Sequence, residues 1–315
     1  LLFTGDINPG RCPAQISIAN NDFTLPYQAI GPDLRLADLT VGSLDGSISD
    51  LSPPSPCPQT MNLIGPARVV EGLSFAGFDV ITVATNHAKD CGRLGFGCDH
   101  RAFLDTLQHL RAGGIWPVGG GGNLAEARAP VSLTARGTRF AFLGVNEIAA
   151  GTWATADEPG TAPLSAETLA AVLADIRAAA QQAEVVIVLA QWGVEYTDFP
   201  ADYQRAWAAQ MITAGATLVI GNHPHLIQPI EEITRPDGAV GVVAYALGNF
   251  IFDQGPWRTR QGLVFEATFA GAQLQGWRAR PTHIHSLYLV KWAEATEAAQ
   301  ILERLEAANA KLRAP

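Results

Sequence analysis

The sequence predicts an α/β fold, and three observations carry that reading. Short apolar runs end repeatedly in polar or glycine-containing turns, as strands do when they deliver side chains to a site at their carboxyl ends. Segments at about 66–77, 100–113, 164–183, 202–215 and 294–312 place apolar residues at three- and four-residue spacing and read as helices. After residue 225 the pattern changes to alternation, over 226–233, 241–247, 262–269, 273–280 and 283–290. That predicts a second, largely antiparallel sheet packed on the first.

Taken in chain order, residues 1–4 feed Gly5-Asp6, and 80–84 feed Thr85-Asn86-His87. Residues 185–190 feed Gln191-Trp192-Gly193, and 217–220 feed Gly221-Asn222-His223. In the segment 202–214, Tyr203, Ala206, Trp207 and Met211 share a helical face. The Pro/Ser-rich stretch 52–58 cannot form regular structure and reads as an exposed loop or lid near the site. No internal repeat is present. The 315 residues read as one domain, with a motif-bearing core over 1–255 and strands and a helix over 256–315.

With 48% hydrophobic and 16% charged residues the chain has a globular composition. A net charge of −9 without a run of Lys or Arg argues against nucleic acid as a partner. No stretch reaches the roughly 20 apolar residues of a membrane helix. The sequence opens directly on a strand-like run, so it does not address a leader or lipid anchor. Four cysteines lie in Pro- or Gly-rich surroundings without metal-binding spacing, and read as two disulfides or as four buried thiols. Proximity in the chain favours Cys91 with Cys98, leaving Cys12 with Cys57.

Several side chains at the strand ends could do chemistry. Asp6 and Asp45 end apolar runs, where Asp also serves as an ordinary turn cap. In Asn86-His87-Ala88-Lys89-Asp90 an amide, an imidazole and a carboxylate crowd one strand end; an amide oxygen can bind a hard cation while the imidazole moves a proton. The same residues could equally cap loop amides. His223 and His225, one residue apart, can face one cation or two adjacent ones. A second pair, His283 and His285, reads as the exposed face of a late strand. Trp192, Glu195 and Tyr196 offer an aromatic wall and a carboxylate.

Gly5-Asp6, Ser43-Leu44-Asp45, Thr85-Asn86-His87-Ala88-Lys89-Asp90-Cys91-Gly92, Gln191-Trp192-Gly193-Val194-Glu195-Tyr196, Gly221-Asn222-His223-Pro224-His225 and Tyr245-Ala246-Leu247-Gly248-Asn249-Phe250, in that order, resemble the CapA family. This family is named for bacterial poly-γ-glutamate capsule synthesis and has a calcineurin-like fold. The resemblance implies a four-layer α-β-β-α sandwich of metallophosphatase type, with two mixed sheets flanked by helices. It also implies one or two divalent cations (Mn, Zn or Fe) held by Asp6, Asp45, Asn86, His223 and His225, with Asp45 bridging. His87 and Asp90 become the catalytic pair, with His87 the proton donor; Gln191, Trp192, Glu195, Tyr196 and Asn249 are expected to contact substrate. The implied reaction is metal-dependent hydrolysis or transfer at a phosphoester or amide bond, and the alternative is a polymer-binding or assembly component. A polyanionic polymer or small molecule and membrane capsule-synthesis proteins are the implied partners. The implied location is extracellular or at the cell surface, with anchoring through a segment outside this chain. Three departures weaken a two-metal centre: Asn8 stands where the phosphatases usually carry His, as it does in CapA-like proteins. Ser43-Leu44-Asp45 replaces Asn-x-Glu, and Gln191 replaces the His of His-Trp-Gly. A neutral amide is a poorer ligand than imidazole for zinc-like cations.

Overall fold

The computed structural model describes residues 1–57, 61–91, 98–235 and 237–313. Pro58 and Gly92, the last residues of two stretches named above, lie outside them. Strands and helices alternate first as β1 (Leu2–Ile7), α1 (Arg11–Ala19), β2 (Thr40–Leu44), α2 (Val69–Ala76), β3 (Val80–Thr82), α3 (Arg101–Ala112) and β4 (Trp116–Val118). A second run comprises β5 (Val131–Ala135), β6 (Thr138–Asn146), α4 (Leu169–Ala180), β7 (Val185–Gln191), α5 (Asp202–Ala214), β8 (Leu218–Asn222), β9 (Ile230–Thr234) and β10 (Val240–Ala244). The chain ends with β11 (Asn249–Ile251), β12 (Gln261–Ala270), β13 (Gln273–His285), β14 (Leu289–Trp292) and α6 (Ala295–Arg313).

Two mixed sheets result. The first has the order β14-β13-β12-β1-β2-β3-β4, with β11 also pairing β1; the second has the order β9-β10-β8-β7-β6-β5. Strands β1 to β4 are parallel, as are β6, β7, β8 and β10, while the outer strands run antiparallel. Alternate residues of a buried strand serve different layers. In β7, Ile187 and Leu189 join Phe3, Val41, Phe142 and Phe265 between the sheets. Val186 and Val188 instead face Val172, Ile176 and Met211 of α4 and α5. On the far side, Leu73, Phe103 and Leu107 of α2 and α3 cover Ile7, Leu44 and Ile81. The expected four layers, helix–sheet–sheet–helix, are therefore present, and strands buried on both faces explain the continuous apolar runs.

The late strands do not form a sheet of their own. β9 and β10 complete the second sheet, whereas β12, β13 and β14 extend the first from β1. The expected break between 280 and 283 is also absent: β13 is continuous, and the chain turns instead at Ser286 and Leu287, both at positive φ. In α5 the buried face is Gln204, Ala208, Met211 and Ile212, while the Tyr203 and Trp207 rings meet edge to face on its flank, 4.9 Å between centroids. Disulfides join Cys12 to Cys57 and Cys91 to Cys98. Stretch 52–57 is irregular, but Ser55 is buried and exchanges hydrogen bonds with Ile64, so it is not wholly an exposed loop.

Candidate metal centre

The carboxyl ends of β1, β2, β7 and β8 meet where the two sheets face each other. Asp6 pairs in register with Ser43 and with Asn249, and Gln191 with Asn222, so five polar residues are fixed by strand pairing alone. Close approach is enforced at Gly5, where a Cβ would lie 1.9 Å from Gly248 O. His223 and His225 hold φ of 98° and 57°, in the left-handed region that side chains avoid. Such strain persists where surrounding contacts over-determine it, commonly at functional sites.

Asp6 and Asp45 are fully buried, and their carboxylate oxygens lie within 4.8 Å of each other and of an imidazole nitrogen of His225. Asp6 accepts from Ser43 Oγ at 3.1 Å and from His223 N at 3.1 Å. Asp45 Oδ1 accepts from Thr85 Oγ1 and from Gln191 Nε2, the latter at 3.4 Å. Gln191 Nε2 also reaches Asn86 Oδ1 at 3.2 Å, which places Asn86 in the same cluster. His225 Nδ1 lies 2.8 Å from Asn249 Oδ1 and 3.7 Å from Asp6 Oδ2, so the neutral ring carries its proton on Nδ1 and its lone pair on Nε2. Asn249 is itself held by its Nδ2, which donates to Thr259 O and Gln254 Oε1.

The fit of this cluster to a cation rests on its unsatisfied atoms. Asp45 Oδ2, Gln191 Oε1, Asn222 Oδ1 and His223 Nδ1 are buried without a hydrogen-bond partner. Each can act as an acceptor, and buried acceptors left bare cost roughly 1–3 kcal/mol apiece. Oxygen and imidazole acceptors of this kind suit a divalent cation, and those of Asp6, Asp45 and His225 lie within 4.8 Å of one another. Burial, and then the charge of Asp45, push the Asp6 carboxyl well above the usual range. Burial lowers His223 to about 4, which keeps it neutral and able to coordinate.

His87 and Asp90 form the second part of the site. His87 Nδ1 lies 2.7 Å from Asp90 Oδ2, which also accepts from Leu63 N at 2.6 Å. Burial alone would lower His87, but the charge of Asp45 and the bond to Asp90 outweigh it and raise it to about 9. Glu195, half-buried, adds to that attraction. Tyr196 is exposed at the rim, its ring 5.9 Å from that of His225.

Several expectations need correction. Trp192 does not line a groove: it is fully buried, stacks on Tyr245 and donates Nε1 to Tyr245 O at 2.9 Å. Asn249 is fully buried too, and orients His225 rather than meeting substrate. Gln191, at 2% exposed, sits in the buried cluster around Asp45 rather than at an outer surface. His283 is buried against Trp257 and bonded to Glu297 at 2.8 Å, so the late pair is not an exposed strand face. Thr85, Asn222 and the supporting role of Ser43 were not singled out from sequence, although each sits at a strand end next to an expected ligand. Asn8 is taken up by structure: it donates to Asp253 at 3.2 Å and accepts from Gly10 N at 2.9 Å. Cys12, Cys57 and Asp253 also cluster, but both thiols are spent in the disulfide.

The chain is thus a four-layer α/β sandwich of two mixed sheets that gathers buried carboxylates and imidazoles at its strand ends. The family described as "Bacterial capsule synthesis protein PGA_cap" matches residues 1–254, and the chain belongs to that family. It is 29% identical over 266 residues to the PGA biosynthesis protein CapA of Bacillus subtilis (strain 168), covering 84% of this chain and 66% of that one. It is 28% identical over 271 residues to the capsule biosynthesis protein CapA of Bacillus anthracis, covering 84% and 62%. The chain thus spans slightly under two thirds of the length of these relatives. A hypothetical protein of Thermus thermophilus, 15% identical, shares the fold with a TM-score of 0.51 over 90% of this chain and 99% of its own.

Proposed function

We propose that this protein is a metal-dependent hydrolase or transferase acting at a phosphoester or amide bond in the synthesis of polyglutamate capsule or another cell-surface polymer. One observation carries the reading: ligand atoms of the buried Asp6, Asp45 and His225 lie within 4.8 Å of one another, and Asp45 Oδ2 among them has no hydrogen-bond partner. Asp6, Asp45, Asn86, His223 and His225, joined by Gln191 and Asn222, would hold Mn, Zn or Fe. Such a cation supplies Lewis acidity and offsets negative charge that develops in the transition state. Asp90 fixes the tautomer and orientation of His87, and His87 delivers its proton to the leaving group. Tyr196 and Glu195 at the rim are placed to meet substrate. We further propose a polyanionic polymer or small molecule as substrate, membrane capsule-synthesis proteins as partners and an extracellular or cell-surface location. No helix among the described residues is long and apolar enough to cross a membrane.

Gln191 favours a second reading, a polymer-binding or assembly component whose metal site has decayed. Metal analysis of protein purified without chelator, with assays on a phosphodiester and a γ-glutamyl amide, separates the two. The enzyme reading expects bound metal, loss of metal and activity in His223→Ala, and loss of activity with metal retained in His87→Ala. A metal-free protein indifferent to Mn²⁺, Zn²⁺ and Fe²⁺ in stability and activity supports the second.

A further inference from the structure

A separate cavity of about 410 Å³ opens between α6 and the segment 198–228. Its charged lining consists of Arg258, Arg304 and Lys311 against Asp198. Three positive groups against one negative leave it at +2, on a chain whose net charge is −9. Arg258 is bonded to Asp198 through both terminal nitrogens, so that pair is internally neutral. Arg304 donates to the neutral Gln261, and Lys311 sits 4.5 Å from the Phe199 ring. Neither meets a carboxylate in a salt bridge among the described residues. Partial burial, and then the charge of Arg258, lower Arg304, with Glu297 and Asp198 acting in the opposite direction.

A second observation is independent of charge. Gln228 lines the cavity and is 1% exposed; its Nε2 donates to Thr197 O and Oγ1, which fixes the amide orientation and leaves Oε1 buried without a partner. The rest of the floor is apolar, from Leu226, Ile301 and Leu305. Arg304 and Lys311 are seven residues apart on one face of α6, which places their Cα atoms about 10 Å apart. A fitting ligand brings an amide N–H to Gln228, methylene groups to the floor, and two carboxylates to cations two helical turns apart.

We propose that this cavity is a binding site for a short acidic peptide segment, distinct from the candidate metal centre. The carboxylates bind Arg304 and Lys311, and a backbone amide binds Gln228. The site depends on no metal and stands whether or not the protein is an enzyme.

The test uses N-acetyl-triglutamate and its neutral triglutamine analogue as probes, with calorimetry on the full chain. Expected are binding of the acidic probe alone, weakening with salt, and a roughly tenfold loss in Lys311→Gln and more in Lys311→Glu. Binding should persist in EDTA and in His223→Ala. Because Arg304 also holds Gln261, Lys311, an exposed side chain, carries the decision and Arg304→Gln serves as its companion. The proposal is overturned if the neutral probe binds equally, if neither binds at millimolar concentration, or if binding ignores Lys311 and disappears with His223 or with metal removal.

Discussion

Replacing Asp45 by Asn should stabilise the metal-free protein and abolish its stabilisation by a divalent cation. Asp6 and Asp45 are both fully buried, with carboxylate oxygens within 4.8 Å of each other. At that separation two full charges repel by about 3.5 kcal/mol at an effective dielectric constant of about 20. Without a cation the pair relieves the repulsion by holding a proton, in keeping with the raised Asp6 carboxyl. The sign follows: a carboxyl raised on folding is destabilising when ionised, so the metal-free protein loses stability as pH rises through the folded-state value of Asp6. In Asp45→Asn the amide oxygen can still accept from Thr85 and Gln191, and the charge is gone. After subtracting about 1 kcal/mol for weaker hydrogen bonds and about 1 kcal/mol for the lost attraction to protonated His87, the net gain is about 1–2 kcal/mol, or roughly 1.5–3 °C in Tm. The assay is thermal unfolding of wild type and Asp45→Asn in EDTA at pH 7.5, repeated with Mn²⁺ or Zn²⁺. Metal at about a hundred times its Kd should add about 2.7 kcal/mol to wild type and nothing to the variant. A variant less stable than wild type in EDTA, or one that keeps the metal response, refutes the reasoning: Asp45 would then be a structural acceptor.

In EDTA, the stability advantage of wild type over His87→Gln should be fullest below about pH 6.5 and vanish as pH rises through about 9, because protonation of His87 is favoured in the folded state; the measurement is urea denaturation at stepped pH. His223 carries the opposite sign: lowered to about 4, it costs stability as pH falls from 6.5 towards 4, so His223→Asn should flatten that acid limb. Removing the Cys12–Cys57 bridge, which spans 45 residues, should cost about 4 kcal/mol, and the Cys91–Cys98 bridge, spanning 7, about 2 kcal/mol, each read by calorimetry of the double Ala variant. Trp192→Phe should lower stability by about 1–3 kcal/mol, because Tyr245 O loses a buried donor, while leaving substrate KM unchanged; a raised KM with unchanged stability would return Trp192 to the groove.

What could be read from sequence was local: an apolar run followed by a polar turn locates a strand end, and the strand ends carrying Asp6, Asn86, Gln191 and His223 converge in the folded protein. Sheet membership was not local. β12 alternates in the same way whichever sheet receives it, and its pairing with β1 joins Leu2 to Glu266 across nearly the whole chain. Burial of His283 is hidden for the same reason: its strand pattern reads as solvated, and the cover comes from Trp257 and from Glu297 on α6. Trp192 directly follows Gln191, and the alternation of β7, carried one residue past its end, sends it to the opposite side, against Tyr245.

Two of the three departures, Asn8 and Gln191, turn out to differ in kind. Asn8 is committed elsewhere: both ends of its amide are bonded, to Asp253 and to the Gly10 amide, and Asp253 in turn receives Arg11 Nε and the Cys12 amide. A residue so engaged has no free atom to offer a cation, and its work is to fasten the start of α1 next to the Cys12–Cys57 bridge. Gln191 is the reverse. It remains inside the acceptor cluster, its Nε2 braces Asp45, Thr85 and Asn86, and its Oε1 is one of the four atoms left without a partner. An amide oxygen there is a weaker ligand than imidazole for zinc but an acceptable one for harder, oxygen-preferring cations. An amide oxygen at this position therefore favours Mn²⁺, and Gln191→His should shift preference towards Zn²⁺, measurable as a reversal in which of the two cations raises Tm more.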